Sequence, residues 1–412
     1  MTPASAATGA TTAEPPEALS AVHVASRGFA WGALGVLIFA LTLFAMLWMA
    51  HLLSTGLAIF RITRQPASDN GLTDRGISLI RPVCGLDQHD ALTLRSSFFL
   101  THPRYEVIFC CAADKDPVVP VIKDLIGGAP AVDAKLLIGD DRTTANPKLN
   151  NLIKGWASAE YPWIVLCDSN VLLPPDYLAH LSSALREDTG LICSPPAGCL
   201  PQGFASEIEC AFLNSYQARW QLAADSVGLG FAQGKSMLWK RALLDEAGGL
   251  IALGSEMAED AAATKLVRRK GLRVRLVDRP FPQPLGYRSA TQVWNRQLRW
   301  ARLRRASFAG YFAPEIFTGV VPAAMVLVWL ADMIGADLSL ATAAFLSAWY
   351  LPEAMLTRSA GWHFSRWTPL AWVARDCLIP VIWIAAWLGD EFSWRGTAMT
   401  VAPAKACSEI HP

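Results

Sequence analysis

The chain predicts an α/β fold, a mixed but mostly parallel sheet flanked by helices, joined to transmembrane α-helices. Three observations carry this expectation. Short β-branched or apolar runs alternate with longer amphipathic ones through the middle of the sequence, the pattern of strands that return through covering helices. Long uncharged stretches stand on both sides of that region. Apolar residues make up 52% of the 412 and charged ones only 17%, with 16 tryptophans, a balance typical of a membrane protein carrying a soluble part.

Residues 1–27 are rich in Ala, Thr, Pro and Ser and hold no Lys or Arg before Arg27, which predicts a disordered tail. Residues 28–53 carry no formal charge. At 1.5 Å per residue they are long enough for a hydrocarbon core of about 30 Å, so a transmembrane helix is expected. Arg61 and Arg64 follow this span against Arg27 alone before it, and the positive-inside rule then puts the next region in the cytoplasm. That region, residues 76–305, is expected to hold strands at 77–81, 106–112, 135–138 and 163–167 and helices at 92–100, 118–126, 148–157, 176–185 and 258–270. In open α/β sheets ligands sit beyond the C-terminal ends of the strands, so the residues just after those runs are the candidates for chemistry.

Three further apolar spans, 316–334, 338–356 and 370–388, predict a C-terminal membrane domain over 313–389, with a tail over 390–412. Arg358 and Arg366, between the last two spans, agree with the same cytoplasmic side. Arg375 and Asp376 interrupt the last span and either pair inside the bundle or mark a re-entrant segment.

A net charge of +1 lacks the concentrated basic surface that a polyanion needs, so no nucleic-acid partner is expected. The nine cysteines are odd in number and show no metal-ligand spacing, which fits a reducing compartment and small buried side chains. No Walker loop, dinucleotide fingerprint or nucleophile elbow is present.

Asp168 ends the apolar run 163–167, with Asn170 two residues on. A Mg²⁺ or Mn²⁺ ion on a nucleotide diphosphate takes most of its ligands from phosphate and water, so Asp168 is a metal candidate, against the plainer reading of a turn cap. Glu259 and Asp260 open a helix, where the macrodipole favours acids in any case; the functional reading makes Asp260 a general base. Lys148, in the turn Asn146-Pro147-Lys148, is placed to meet phosphate. Asp114 and Asp116 follow the second strand and either accept from a uracil imide or are solvated loop acids. Arg296 and Arg299, at i and i+3, share a helix face with Trp300 beside them. Two guanidinium forks and an indole suit a diphosphate, or else lipid headgroups, since Arg302, Arg304 and Arg305 follow.

The order of these motifs resembles the ceramide glucosyltransferase family. The likeness runs from about residue 77 to 305 and includes Arg81-Pro82, Tyr105-Glu106-Val107, the run 146–152, Cys167-Asp168-Ser169, Gln202-Gly203-Phe204, the run 247–251, Ala258-Glu259-Asp260 and Arg296 through Trp300. It implies a GT-A-type, Rossmann-like fold and an inverting transfer of a sugar, foremost glucose, from a UDP-sugar to the primary hydroxyl of ceramide. It also implies Mg²⁺ or Mn²⁺ at Asp168, Asp260 as base, and Arg296, Arg299 and Trp300 at the leaving group and acceptor. Asp114, Asp116, Lys148 and Asp168 would join the two arginines in holding the donor. The implied setting is a multi-pass protein of a bacterial inner membrane with its catalytic domain facing the cytoplasm and lipids around it.

Three positions depart from the family pattern: its first aspartate falls on Ala113 with Asp114 displaced by one, Cys193 stands where many members carry histidine, and Asn170 is neutral. The competing expectations are transfer of glucuronate or N-acetylglucosamine, a hopanoid acceptor, a processive polysaccharide synthase, and a non-catalytic scaffold.

Overall fold

The computed structural model describes residues 16–64, 72, 74–394 and 397–400. Nine strands and fourteen helices build the part that matters here. The strands are β1 (Ile77–Val83), β2 (Tyr105–Cys111), β3 (Asp133–Ile138), β4 (Trp163–Cys167), β5 (Thr189–Cys193), β6 (Pro196–Gln202), β7 (Ser236–Lys240), β8 (Arg273–Leu276) and β9 (Phe281–Tyr287). The helices up to the sheet's last crossover are α1 (Pro16–Thr63), α2 (Asp90–Arg95), α3 (Val118–Gly127), α4 (Pro147–Ser158), α5 (Tyr177–Ser183), α6 (Phe204–Ala211), α7 (Arg219–Ser226), α8 (Arg241–Asp245) and α9 (Glu259–Arg269). Then come α10 (Ala290–Ser307), α11 (Ala309–Phe312), α12 (Val320–Met333), α13 (Leu338–Ser359) and α14 (Thr368–Trp387).

Seven strands form one sheet in the order β3-β2-β1-β4-β7-β5-β8. It is mixed and mostly parallel, because β7 alone runs antiparallel to its neighbours β4 and β5. Alternate strand residues feed two apolar layers, as a sheet covered on both faces requires. Ile80, Ile108 and Ile164 face α4 and α9, whereas Leu79, Val107 and Val165 face α3 and α5. Ala58 and Ile62 of α1 and Leu356 of α13 enter the first of these layers, so the long helices are packed into the sheet domain rather than tethered to it. Strands β6 and β9 pair in a separate parallel ribbon.

The expected strands and amphipathic helices all appear, within a few residues of their expected ends. The tails differ. Residues 1–15 and 401–412 lie outside the described residues, residues 16–27 continue helix α1, and Glu391–Trp394 pairs with Thr397–Thr400 in a hairpin. By length and composition, Leu34–Thr63 and Thr368–Trp387 are able to cross a membrane, and Ala309–Phe317 with α12 passes the same test as a pair bent by 43°. Helix α13 does not join them. It carries Pro352 and Glu353 in its interior and packs Phe345 and Trp349 against Phe44 and Trp48 of α1.

Glu353 explains itself by its partners. Its carboxylate receives Arg375 at 2.9 and 3.0 Å and Arg219 at 3.4 Å, while Arg375 also binds Asp376 at 2.8 Å and Ser215 at 2.7 Å. His51 of α1 meets Arg219 at 2.9 Å. The alternative of a paired Arg375 and Asp376 inside the bundle therefore describes these side chains. Ser215 and Arg219 belong to one helical run, residues 204–226, whose Phe212–Ala218 turn is a π-helix next to this cluster.

Candidate active site

The site lies where the parallel strands end. Strand β4 finishes at Cys167, and the next residue, Asp168, is held by its backbone as well as its side chain. Arg81 of β1, fully buried, donates to the carbonyls of Asp168 at 2.9 Å, Ser169 at 2.8 Å and Val171 at 2.8 Å. It also reaches Thr93 O at 2.6 Å and Ser97 Oγ at 2.7 Å. One guanidinium bound to four backbone carbonyls fixes a loop, which gives the Arg81 side chain a positioning role.

Because β7 is antiparallel to β4 with Ser236 opposite Cys167, Lys235 arrives beside Asp168. The Asp168 N–H donates to Lys235 O at 3.0 Å. The Lys235 ammonium sits 2.9 Å from Asp168 Oδ2 and 3.2 Å from Asn170 Oδ1.

Lys148 comes from the start of α4. Asn146 caps that helix, its Oδ1 accepting from Lys148 N and Leu149 N, with Pro147 at the first turn where its missing N–H costs nothing. Lys148 Nζ then meets Asp168 Oδ1 at 2.7 Å, Glu259 Oε1 at 2.7 Å and Gly234 O at 2.7 Å. Asn146 Nδ2 donates to the other Glu259 oxygen at 3.0 Å. A Cβ on Gly234 would stand 2.7 Å from Glu259 Oε1 and 3.1 Å from Lys148 Nζ, so a side chain there would push these two heads aside.

Asp260 opens α9 beside Glu259. Its carboxylate accepts from Gly234 N at 3.2 Å and Ala261 N at 2.8 Å. Burial, and then the neighbouring Glu259 charge, push its carboxyl up to about 6. Asp168 goes the other way. Burial opposes its charge, but the ammoniums of Lys148 and Lys235 prevail and hold it well below the ordinary carboxylate range. Lys148 is also desolvated, yet Asp168 and Glu259 raise it. Burial leaves Lys235 lowered despite Asp168, with Arg296 and Lys148 adding like charge.

Helix α10 starts with a capping box between Ser289 and Gln292 and brings the expected arginines alongside. Arg296 binds the buried Glu209 of α6 at 2.6 Å, and its charge is felt at both Lys235 and Asp87. Arg299 is half-buried on the same helix, and Trp300 packs against Cys210, Leu213 and Leu285. The three arginines that follow, whose run suggested lipid headgroups, are engaged within the protein. Arg304 makes a two-pronged pair with Glu315 at 2.7 and 2.8 Å, Arg305 pairs with Asp390, and Arg302 donates to Glu391 O.

Asp114 is exposed beyond β2. Asp116 spends both oxygens on Gly85 N, at 2.9 Å each, and accepts from Val118 N at 3.0 Å, so it ties the loop after β1 to the start of α3. Cys193 is buried at the end of β5, and burial pushes its thiol up to about 12.

A divalent ion fits the donor set in chemistry. Asp168 Oδ2 and Asn170 Oδ1 are hard oxygens that converge on one point, and that point holds a cation, the Lys235 ammonium. The other acidic group, Glu106, Asp133 and Glu160, brings its oxygens within 4.8 Å of one another among the described residues. It lies at the opposite, N-terminal ends of the strands, and Lys135 meets it at 2.9 Å from Glu106 and 3.8 Å from Glu160.

Four contributors were not singled out for chemistry from the sequence: Lys235, Asn146, Glu259 as Lys148's partner, and Glu209. Only Asn146 carried a local signal, as a cap before proline.

The family model described as glycosyl transferase family 21 matches residues 46–407. Ceramide glucosyltransferase 3 of Caenorhabditis elegans is 25% identical over 363 residues, covering 86% of this chain and 79% of the relative. Ceramide glucosyltransferase 1 of the same organism is 26% identical over 358 residues, covering 85% and 76%. Among solved structures, a mannosyltransferase from Pyrobaculum calidifontis in complex with GDP-Man and Mn²⁺ is 18% identical, covering 84% of this chain and 97% of that one with a TM-score of 0.48.

Proposed function

The chain belongs to glycosyl transferase family 21, and within that family we propose that it moves glucose from UDP-glucose to the primary hydroxyl of ceramide with inversion. The observation that carries this is the Asp260 carboxylate, fixed by two backbone N–H groups beside the Lys148–Asp168 pair and pushed up to about 6. A base of that strength is ionised at neutral pH and still strong enough to take a hydroxyl proton.

In the proposed reaction Asp260 accepts the proton of the ceramide hydroxyl as its oxygen bonds to the anomeric carbon. The bond from that carbon to the UDP oxygen breaks, and one displacement inverts the centre. Lys235, Arg296 and Arg299 hold the departing diphosphate, whose charge grows as the bond breaks, and Lys148 adds its positive charge from beside Asp168. A divalent ion, when bound, adds positive charge against the same oxygens. The ammonium and guanidinium groups come from three separate segments, so donor orientation is built into the fold before substrate arrives.

The membrane side of the reading puts α1, α12 and α14 in the bilayer and the sheet domain on the cytoplasmic face. Names of the two nematode relatives support ceramide as acceptor. The test is purified protein in lipid, offered UDP-glucose, UDP-glucuronate and UDP-N-acetylglucosamine against ceramide and a hopanoid, read by lipid mass spectrometry. Glucosylceramide is the expected product. A glucuronosyl or hopanoid product overturns this choice of donor or acceptor, and no product with any pair overturns the enzyme reading.

A further inference from the structure

We propose that Lys235 is the resident cation of the donor site: its ammonium holds the notch between Asp168 and Asn170 and leaves that notch when a divalent ion enters with the nucleotide. This rests on the donor-site reading above.

The geometry begins with strand direction. The antiparallel β7 delivers Lys235 directly across from the end of β4, and the Asp168 N–H to Lys235 O bond locks the two backbones together. From there the side chain has two acceptors, Asp168 Oδ2 at 2.9 Å and Asn170 Oδ1 at 3.2 Å. These are the oxygens on which a hard cation would settle. An ammonium and a divalent ion of the same sign cannot share them at such distances, so the two compete.

Lys148 is unsuited to that exchange. It is tied to Asp168, Glu259 and Gly234 O, all at 2.7 Å, and Glu259 is itself held by Asn146. Among the described residues, Lys235 pairs with one carboxylate, that of Asp168. Its flexible four-carbon stem allows the ammonium to swing from Asp168 to a phosphate oxygen of an incoming diphosphate. The neutral Asn170 fits this arrangement, since a second carboxylate there would bind the ammonium more firmly.

Two consequences follow for the protein without substrate. Metal binding is weak, because Lys235 must first be displaced. Diphosphate binding without metal is retained in part, because Lys235 supplies a cation.

The experiment uses the full chain in detergent. Mn²⁺ is titrated without nucleotide and free Mn²⁺ is followed by electron paramagnetic resonance; UDP binding is measured by calorimetry in EDTA and in Mn²⁺. Lys235→Met is expected to bind Mn²⁺ about tenfold more tightly than the wild type and to lose about tenfold in UDP affinity in EDTA, with a smaller loss in Mn²⁺, where the tighter metal offsets part of the missing ammonium. Lys235→Arg, which keeps the charge, is expected to bind Mn²⁺ as weakly as the wild type. Equal Mn²⁺ affinity in wild type and Lys235→Met overturns the proposal, and so does unchanged UDP affinity in EDTA. If the wild type binds no UDP in either buffer, the donor-site reading itself fails, which is a different result. Retained UDP binding in Mn²⁺ shows that the variant is folded.

Discussion

Two charge clusters stand in this molecule and are closed to different degrees. Among the helices, Glu353, Arg219, Arg375 and Asp376 have side chains no more than 1% exposed, and every carboxylate oxygen has a partner, including Tyr350 and Val320 N on Asp376. At the strand ends, Asp168 keeps 22% of its side chain exposed and both lysines 13%. The first cluster is finished by the protein. It joins α1, α7, α13 and α14 with its carboxylates fully paired and its groups shut away from solvent. In the second, ammonium groups stand opposite carboxylates in a space still open to solvent, so an incoming anion has cations to meet. On the proposed function, the same residue types serve cohesion where they are sealed and recognition where they are open.

The largest effect should come from breaking the open cluster at its base. Asp260→Asn preserves shape and should lower turnover about 10³-fold, the usual range for losing a positioned general base, with UDP affinity within about twofold of wild type. A comparison of single-turnover rate and calorimetric UDP binding checks this. Turnover near wild type would remove Asp260 from the chemistry.

Next in size is damage to the sealed cluster, which should appear as stability rather than rate. Glu353→Gln leaves Arg219 and Arg375 buried with less compensating charge, and breaking a buried pair this way costs about 3–5 kcal/mol. Denaturation in detergent should show a clear loss of stability, while the folded fraction binds UDP as before. A stable Glu353→Gln protein with weakened UDP binding would erase the distinction between the clusters.

That distinction also marks how far the sequence could be read. Four of the sheet's seven strands, β1 to β4, were legible because they are apolar runs bounded by polar turns, and Asp168 was legible because it ends such a run; β5, β7 and β8 were not read. Lys148 and Asp260 stood at helix starts, where position in the sequence already says what a side chain can reach. Lys235 was hidden because its meaning comes from β7 running against β4, a pairing across almost seventy residues that no local pattern encodes. Arg302, Arg304 and Arg305 look like a headgroup belt only while Glu315, Asp390 and the Glu391 carbonyl are out of view. Likewise Glu353, a charge inside the apolar run 338–356, finds its reason only in Arg219 and Arg375 packed around it.

The smallest expected effect probes the open cluster by pH. Asp260 must be ionised to accept a proton, so kcat/KM should rise with pH, pass its midpoint near 6 and then level off. The sign follows from the causes: burial and the Glu259 charge both favour the protonated form, so the active carboxylate is lost as the pH falls through that value. Glu259→Gln removes the second cause but not the first. Its acidic limb should therefore move to lower pH without reaching the range of an exposed aspartate, and any fall in the plateau reports the loss of Lys148's second carboxylate. A full pH profile separates these two readouts. An acidic limb that stays in place in Glu259→Gln would show that the titrating group is not the neighbour of Glu259, and an acidic limb that vanishes would show that it is Glu259 itself.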